Sequence, residues 1–283
     1  MKRKQTNKYF ANIIVIIITS LIIIIFNFPI ISTIMTSFKT NSSINTFPPS
    51  FFPKEPTLEH YLKVLYPSTS LSVKFPRYLL NSCLIALGTS FLTIFVCLPA
   101  SYAFEKIRFG KKIIFPALVN LRAIPLVIFA IPIYIFYQKI NLIDTIFGLI
   151  LLNCVVNIPL AILIFTGFIQ DLPEELEDAA RIDGASTFSI LRYVIFPLMK
   201  PAIATVGILV FIMTWNEFLF GMILSVEKSL PITVGITMFA GAWSIDWGAI
   251  AAAISIGIIP SIIFILFARK FLIKGLTMGA VKE

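Results

Sequence analysis

Residues 142–168 read LIDTIFGLILLNCVVNIPLAILIFTGF, and residues 169–200, which follow directly, read IQDLPEELEDAARIDGASTFSILRYVIFPLMK. The first stretch supplies the roughly 20 apolar residues that an α-helix needs to cross a bilayer. The second stretch, called here the acidic loop, is too polar to enter the bilayer and long enough to hold structure. Together they predict a spanning helix followed by a structured loop outside the membrane.

The composition extends this prediction to the whole chain. Of the 283 residues, 58% are hydrophobic and 13% are charged, whereas soluble domains are about 45–50% apolar and about 25% charged. These values exclude a water-soluble domain, a disordered chain and a fibrous protein. The apolar runs are continuous, so they do not match the alternating pattern of an outer-membrane barrel. The sequence therefore predicts an all-α polytopic membrane protein.

Long apolar runs predict six transmembrane helices, at about 10–36, 78–104, 113–137, 142–168, 202–225 and 249–272. The first run extends from Phe10 to Met35, well beyond the roughly 7–15 residues of a signal-peptide core, so we interpret it as a retained span. Residues 1–9 are then a short N-terminal tail, and residues 10–283 form one transmembrane domain.

The basic residues predict the orientation, because they are enriched in cytoplasmic segments. They cluster at the N-terminus, after span two, in the acidic loop and at the C-terminus: Lys2, Arg3, Lys4, Lys8; Lys106, Arg108, Lys111, Lys112; Arg181, Arg192, Lys200; Arg269, Lys270, Lys274, Lys282. Both termini and the acidic loop are therefore predicted to be cytoplasmic, and loop 37–77 external. The net charge of +9 is explained by this pattern and not by nucleic-acid binding.

The external loop 37–77 is rich in proline and aromatic residues, which favours an ordered structure with a short helix near Thr57–Leu65. Two interpretations stay open for it. It is either a docking surface for an extracellular partner or a structural lid over the helices.

Catalytic and metal-binding chemistry has no support in the sequence. Cys83, Cys97 and Cys154 lie in separate apolar runs, and His60 is the single histidine, so neither a disulfide framework nor a zinc site is expected. The sequence contains no GxxxxGK[ST] phosphate loop. We therefore expect no catalytic residues, no metal and no cofactor in this chain.

The acidic loop predicts a helix–turn–helix. Pro173 suits a helix start, Gly184 suits a helix stop, and Ser186 or Thr187 suits the N-cap of a second helix that runs to Pro197. Carboxylates in the first turns favour the helix dipole. On these grounds alone the loop is either a docking site for a partner or an ordinary solvated loop.

A specific resemblance enters here. The loop resembles the EAA loop of ABC importer permeases, whose pattern is Glu-Ala-Ala, three residues, Gly, nine residues, then Ile-x-Leu-Pro. This chain has Asp178-Ala179-Ala180, Gly184 and Val194-Ile195-Phe196-Pro197 at the same spacing. Asp, Val and Phe replace Glu, Ile and Leu, and the shorter Asp side chain alters the contact expected at that site.

The resemblance covers nearly the whole chain. The segments YIFYQKINLIDT (134–145), TWNEF (Thr214–Phe218) and GLTMGAVK (Gly275–Lys282) are similar to the carbohydrate-uptake branch. Within that branch the chain looks like the second, six-span permease of the maltose and glycerol-3-phosphate type. The resemblance implies the type I ABC importer permease fold and a location in the cytoplasmic or inner membrane.

The resemblance also implies partners and a mechanism. A second, homologous permease would complete a heterodimer in the lipid bilayer, two cytoplasmic subunits would bind ATP-Mg, and an extracellular or periplasmic binding protein would deliver a sugar. The EAA loop would form a coupling helix, so that ATP-driven closure rocks the two permeases. The residues implied in this contact are Glu174, Glu175, Glu177, Asp178, Ala179, Ala180, Asp183, Gly184 and Pro197.

Polar residues inside spans are costly and indicate function by default. The candidates for the translocation path are Arg122, Asn153, Asn157, Trp215, Asn216 and Glu217. Arg122 either faces the cavity or extends to the cytoplasmic interface. The two asparagines either line the path or bond across helices.

Other transporter classes remain as alternatives. The chain could be an ABC permease for another small solute, because no residue identifies the sugar. A secondary transporter would need ion-coupling carboxylates at the midplane, and Glu217 is the one clear intramembrane carboxylate, since Asp144 lies at the very start of its predicted span.

Overall fold

The computed structural model describes residues 2–67, 73–241 and 245–278. Within these ranges the chain is helical, and the single β-pairing is one bridge between Ala240 and Ile245. The α-helices are α1 Lys2–Ser37, α2 Asn41–Ile44, α3 Glu59–Leu65, α4 Phe75–Tyr102, α5 Ile114–Asn120, α6 Ala130–Lys139, α7 Ile146–Gln170, α8 Glu175–Ile182, α9 Thr187–Ile190, α10 Phe196–Leu198, α11 Lys200–Trp215, α12 Leu219–Leu224, α13 Ile232–Thr237 and α14 Trp247–Met278. Trp243 and the end of the GLTMGAVK segment, residues 279–282, lie outside the described residues.

Several of these helices are long and apolar enough to cross a membrane. Four meet that condition in the described residues, and counting two bent helix pairs as spans brings the number to six. The prediction of an all-α polytopic protein is therefore confirmed.

The third predicted span, 113–137, is not one straight helix. Ile114–Ala123 and Leu126–Lys139 meet at an angle of 100°. Ile124 is extended, with ψ of 126°, because the ring of Pro125 disfavours helical backbone at the residue before it. A proline inside a span is expected to break or kink its helix, but Pro132 and Pro159 lie inside α6 and α7 and interrupt neither.

The fifth predicted span, 202–225, is shorter than expected. Helix α11 ends at Trp215, and α12 begins only at Leu219. The Glu217 carboxylate accepts hydrogen bonds from the backbone N–H groups of Phe220 (2.8 Å) and Gly221 (3.1 Å). A carboxylate that occupies these donors starts a new helix instead of continuing the old one.

The chain divides into two compact units. The first comprises residues up to Val73 together with Ile236–Ile256, and the second comprises Lys74–Gly235 and the residues from Gly257 onward.

In the first unit, the predicted external loop is ordered. Helix α3 lies where the sequence placed it, and the Tyr61 hydroxyl is 2.7 Å from Ser37 Oγ at the end of α1. The buried His60 ring bonds the Lys39 carbonyl through Nε2 at 2.9 Å. Asp246 caps α14 by accepting from Ala249 N–H, and it pairs with Lys63. Burial favours the neutral Asp246 carboxyl, but Lys63, the Ala249 N–H and the nearby His60 together outweigh it and lower the pKa.

Gly248 allows the His60 ring to approach the first turn of α14, since an added Cβ would overlap the imidazole. We expect Gly248→Ala to destabilise the protein by about 1–3 kcal/mol, as overpacking of a filled site does. Thermal unfolding in detergent measures the effect. Gly207→Ala is the matched control, because the nearest atom to its added Cβ is 3.4 Å away. Equal melting temperatures for the two variants would contradict the close contact.

The second unit is built on α4, α7 and α11. Their apolar side chains form a core that also takes in the second half of the acidic loop, with Tyr102, Phe165, Ile169, Ile190 and Met199 among its buried members. A second cluster at the other end of α7 contains Tyr137, Leu149, Leu152, Phe220 and Leu224.

Small residues allow these helices to pack closely. Ser90 Oγ donates to the Gly207 carbonyl of α11 at 3.2 Å, and a Cβ on Gly88 would lie 2.6 Å from Ile150 Cδ1 of α7. Close approach through small residues and interhelical hydrogen bonds drive helix association where water is absent. The acidic loop is therefore mounted on a tightly packed three-helix support.

Candidate functional site

The acidic loop folds as a helix–turn–helix. Helix α8 starts at Glu175, two residues later than Pro173 would place it, and has three carboxylates in its first turn. These carboxylates interact favourably with the helix dipole. The helix ends at Ile182, and Gly184 follows with φ of +81°. Ala185 N–H bonds the Ala180 carbonyl and Gly184 N–H bonds the Arg181 carbonyl, which is the Schellman arrangement.

The second half of the loop begins as the sequence predicted. Ser186 Oγ accepts from Ser189 N–H at 3.2 Å and caps α9. After Ile190 the backbone passes through a π-helical turn, Leu191–Ile195, and then α10, so the predicted second helix is made of three segments. Ile190 and Ile195 are buried and fix this half to the core.

The predicted coupling residues are mostly exposed. Seven are exposed: Glu174, Glu175, Asp178, Ala179, Asp183, Gly184 and Pro197. Ala180 is half-buried and packs on the core. Ile182 is 86% exposed and Leu176 is 44% exposed, so apolar side chains lie among the carboxylates. This mixed, protruding surface has the composition of a partner-binding site.

Glu177 differs from the other predicted coupling residues, because it is buried and points into the protein. Its Oε2 accepts from the Tyr102 hydroxyl at 3.0 Å, and its Oε1 lies 3.4 Å from Lys106 Nζ. In the sequence, Lys106 indicates only orientation. The further signal available is that the end of span two and the carboxylate-rich acidic loop are both predicted on the cytoplasmic side.

A second cluster joins the same helix ends. In the π-helical turn that follows α4, Glu105 accepts from Lys111 Nζ at 2.7 and 2.8 Å and from Gln170 Nε2 at 3.0 Å. Gln170 is the last residue of α7, so the ends of α4 and α7 are held together beside the acidic loop.

Two of the six path candidates line the same cleft. It has a volume of about 480 Å³ and lies among α5, α6, α7 and the end of α11. Arg122 and Asn157 contribute its polar side chains, while the remaining lining is apolar, including Phe129, Val156 and Met213. The bend at Pro125 lies beside this cleft, whose lining includes Arg122 and Leu126 on either side of it.

The other four path candidates make contacts elsewhere. Asn153 is buried and donates to the Leu149 carbonyl of its own helix. Trp215 Nε1 donates to the Gly257 carbonyl at 3.2 Å. Asn216 is exposed and donates back to the Ile212 carbonyl. Glu217 caps α12, as described above.

Asp144 is a strongly bonded residue that the sequence analysis missed. Its carboxylate accepts from the backbone N–H groups of Val226, Glu227, Lys228 and Ser229 at 2.9–3.2 Å, and from Ser229 Oγ at 3.1 Å. Burial favours the neutral acid, but these backbone donors outweigh it and lower the pKa of Asp144 to about 2. The carboxylate thus joins the loop before α7 to the loop after α12.

The described residues contain no group of three His, Cys, Asp or Glu side chains arranged to hold a metal ion. What the geometry offers is a polar cleft between helices and a rigid acidic surface at the end of the helix bundle.

Comparison with known proteins agrees with this arrangement. Residues 96–277 match the model of a family described as the binding-protein-dependent transport system inner membrane component. A trehalose/maltose transport system permease protein of Thermococcus litoralis is 33% identical, over 95% of this chain and 96% of its own length. A sulfoquinovosyl glycerol transport system permease protein of Agrobacterium fabrum is 32% identical, over 90% and 88%.

The fold is also found among solved structures. A chain of a bacterial ABC transporter involved in the import of the acidic polysaccharide alginate superposes with a TM-score of 0.77 and 22% identity, covering 92% of this chain and 95% of that one. The fold is thus that of ABC importer permeases, and this multi-pass membrane protein belongs to the family of binding-protein-dependent transport system inner membrane components.

Proposed function

We propose that this chain is a permease subunit of an ATP-driven importer and forms half of the translocation path for a sugar or oligosaccharide. Two relatives whose names specify sugar transport align along almost the entire chain. The family supplies the role of a permease component, and those relatives support a sugar as the solute.

The exposed surface of α8 and the turn at Gly184 carry this proposal. Asp178, Asp183 and Glu175 present carboxylates around the exposed Ile182. A lever that transmits force must not bend. The Schellman turn fixes the C-terminal end of α8, and the Ser186 cap fixes the start of α9. We infer that this surface contacts a cytoplasmic ATP-binding subunit, which supplies ATP-Mg.

The rest of the assembly follows from the same proposal. A second, homologous permease completes the path, a second ATP-binding subunit pairs with the first, and a binding protein outside the membrane delivers the sugar. Both termini of this chain then lie in the cytoplasm. In α1, residues 12–31 are exposed, and lipid together with the second permease would cover this apolar surface.

The cleft that contains Arg122 and Asn157 is the proposed segment of the translocation path. The Arg122 guanidinium offers hydrogen bonds to sugar hydroxyls, and the apolar lining suits the faces of sugar rings. The Asn157 amide lines the same cleft while its Nδ2 donates to the Asn153 carbonyl at 2.8 Å. We assign the path to these two residues of the six candidates.

A secondary transporter is the less favoured alternative. Such a protein needs a carboxylate free to bind and release its coupling ion. Glu217, the carboxylate considered for that role, is engaged by the backbone of α12. An ABC permease for another small solute stays open, since the cleft residues are compatible with other polar ligands.

Affinity purification of the tagged chain from native membranes in mild detergent tests the proposal. We expect an ATP-binding subunit and a second, different permease to co-purify, and the associated binding protein to retain a sugar that mass spectrometry identifies. Recovery of the chain as a lone monomer or homodimer would overturn the proposal and favour the secondary transporter.

A further inference from the structure

The acidic residues of α8 are sorted by the structure into two sets that face opposite ways. Asp178 and Glu175 are exposed, whereas the Glu177 side chain is 6% exposed. Docking of a partner would use the exposed carboxylates. The inward residue, Glu177, contacts only this chain, so docking does not explain its position.

Glu177 joins α8 to the end of α4. Tyr102, its hydrogen-bond partner, is the last residue of α4 and is 2% exposed. Lys106, its ion-pair partner, lies in the π-helical turn Ala103–Ile107 that continues α4, and its side chain is 10% exposed. One carboxylate therefore binds both the helix and the turn that extends it.

The neighbouring residues restrict movement at the contact of Glu177 with Tyr102 and Lys106. Tyr102 belongs to the core shared by α4, α7 and α11, so it cannot shift without moving that core. Lys106 also lies 3.7 Å from Glu174, which is exposed, so a second carboxylate of the loop lies near the same ammonium. Among the apolar residues of α8, Ala180 packs on the core, whereas Leu176 and Ile182 are exposed.

We infer that Glu177, Lys106 and Tyr102 form the joint through which movement of α8 is passed to α4. Glu177 is then a positioning residue: it holds the docked helix to the membrane helix and makes no contact with the ATP-binding subunit. This inference rests on the proposed function, because it assumes that α8 is moved by a docked ATPase.

The test uses the complete complex purified through the tagged chain. Hydrogen–deuterium exchange of α4 is compared with ADP and with ATP plus orthovanadate, and ATP hydrolysis is measured on the same sample. These probes do not require the sugar to be known. In the wild-type complex, ATP plus vanadate should change exchange in both α8 and α4.

Glu177→Gln keeps the side-chain volume and removes the charge. We expect ATPase subunits to co-purify and ATP to be hydrolysed, while the nucleotide-dependent change in α4 falls about tenfold, within the range of allosteric couplings. The double variant Glu177→Lys/Lys106→Glu, which swaps the two charges, should restore most of the nucleotide-dependent change in α4. A purely structural role would alter α4 exchange without nucleotide and leave the nucleotide-dependent difference intact.

Two further variants keep the inference falsifiable. Tyr102→Phe removes one hydroxyl from the joint and retains the ring. It replaces Glu177→Gln as the test if that variant fails to fold. Its nucleotide-dependent change in α4 should also fall. Asp171→Asn is the matched control, since Asp171 is exposed in the same loop. A normal α4 response in Glu177→Gln, or in Tyr102→Phe where that variant stands in, overturns the joint alone. Absence of an ATPase from the wild-type preparation overturns the joint and the proposed function together.

Discussion

Gly184→Trp is expected to abolish uptake while the protein still inserts and folds. Apart from the chain neighbours of Gly184, no atom of the described residues lies within 4 Å of a Cβ built on it, so the side chain starts into open space. Loss of function through the bulk of the indole would therefore come from a surface outside the chain, which we propose is the ATP-binding subunit. Uptake by membrane vesicles and co-purification of the ATPase measure the effect.

The effect of backbone strain at Gly184 must be separated from the effect of side-chain size. Its φ of +81° is disfavoured for residues with a Cβ, by about 1–2 kcal/mol. Gly184→Asn is the control, because Asn tolerates left-handed backbone and is small. We expect Gly184→Asn to retain most uptake and Gly184→Ala to be mildly impaired. Normal uptake by Gly184→Trp would refute docking at this turn.

Asp144→Ala should lower the free energy of unfolding by about 3 kcal/mol, because several backbone N–H groups lose a charged acceptor at once. Asp144 also has φ of +56°, so alanine adds strain there. Thermal unfolding in detergent provides the measurement. Asp144→Gly separates the two effects, since glycine removes the carboxylate without the strain. Glu227→Gln is the control on the bonded loop, where the Glu227 carboxylate pairs with the exposed Lys74 side chain.

The same carboxylate predicts an acid dependence. The pKa of Asp144 is about 2 in the folded chain, below its ordinary value of 3.8. Its contribution to stability is therefore complete above about pH 4 and is lost as the pH falls from 4 towards 2. Asp144→Asn should remove this part of the acid sensitivity. Identical acid profiles for Asp144→Asn and the wild type would contradict the low pKa.

Local chemistry explains why part of the acidic loop was predictable. Gly184 supplies the left-handed backbone that ends α8, and Ser186 offers an oxygen to the first free N–H groups of α9. Both effects act within a few residues, so they can be read from the sequence. The division of the second helix into three segments between Thr187 and Leu198 is not predictable in this way, because Ile190 and Ile195 pack on a core built by distant residues.

Of the breaks in spans three and five, one is predictable from the local sequence and the other is not. Pro125 disfavours helical backbone at the residue before it, so the break in span three is predictable from the local sequence. The break after Trp215 has no such marker. It depends on the Glu217 side chain turning back to the N–H groups of α12, and hydropathy alone cannot distinguish that from a lipid- or cavity-facing carboxylate.

By itself, the sequence determined the all-α membrane class, the stop at Gly184 and the start of α9, because bilayer thickness and helix-end hydrogen bonding act on short, contiguous segments. Only the tertiary structure decided that Glu177 faces Tyr102 and Lys106, that Arg122 and Asn157 share a cleft, and that Asp144 binds the loop after α12. Each of these contacts joins residues that are distant along the chain. The sequence does not distinguish a carboxylate that faces a partner from one that faces its own core, so only packing assigns its role.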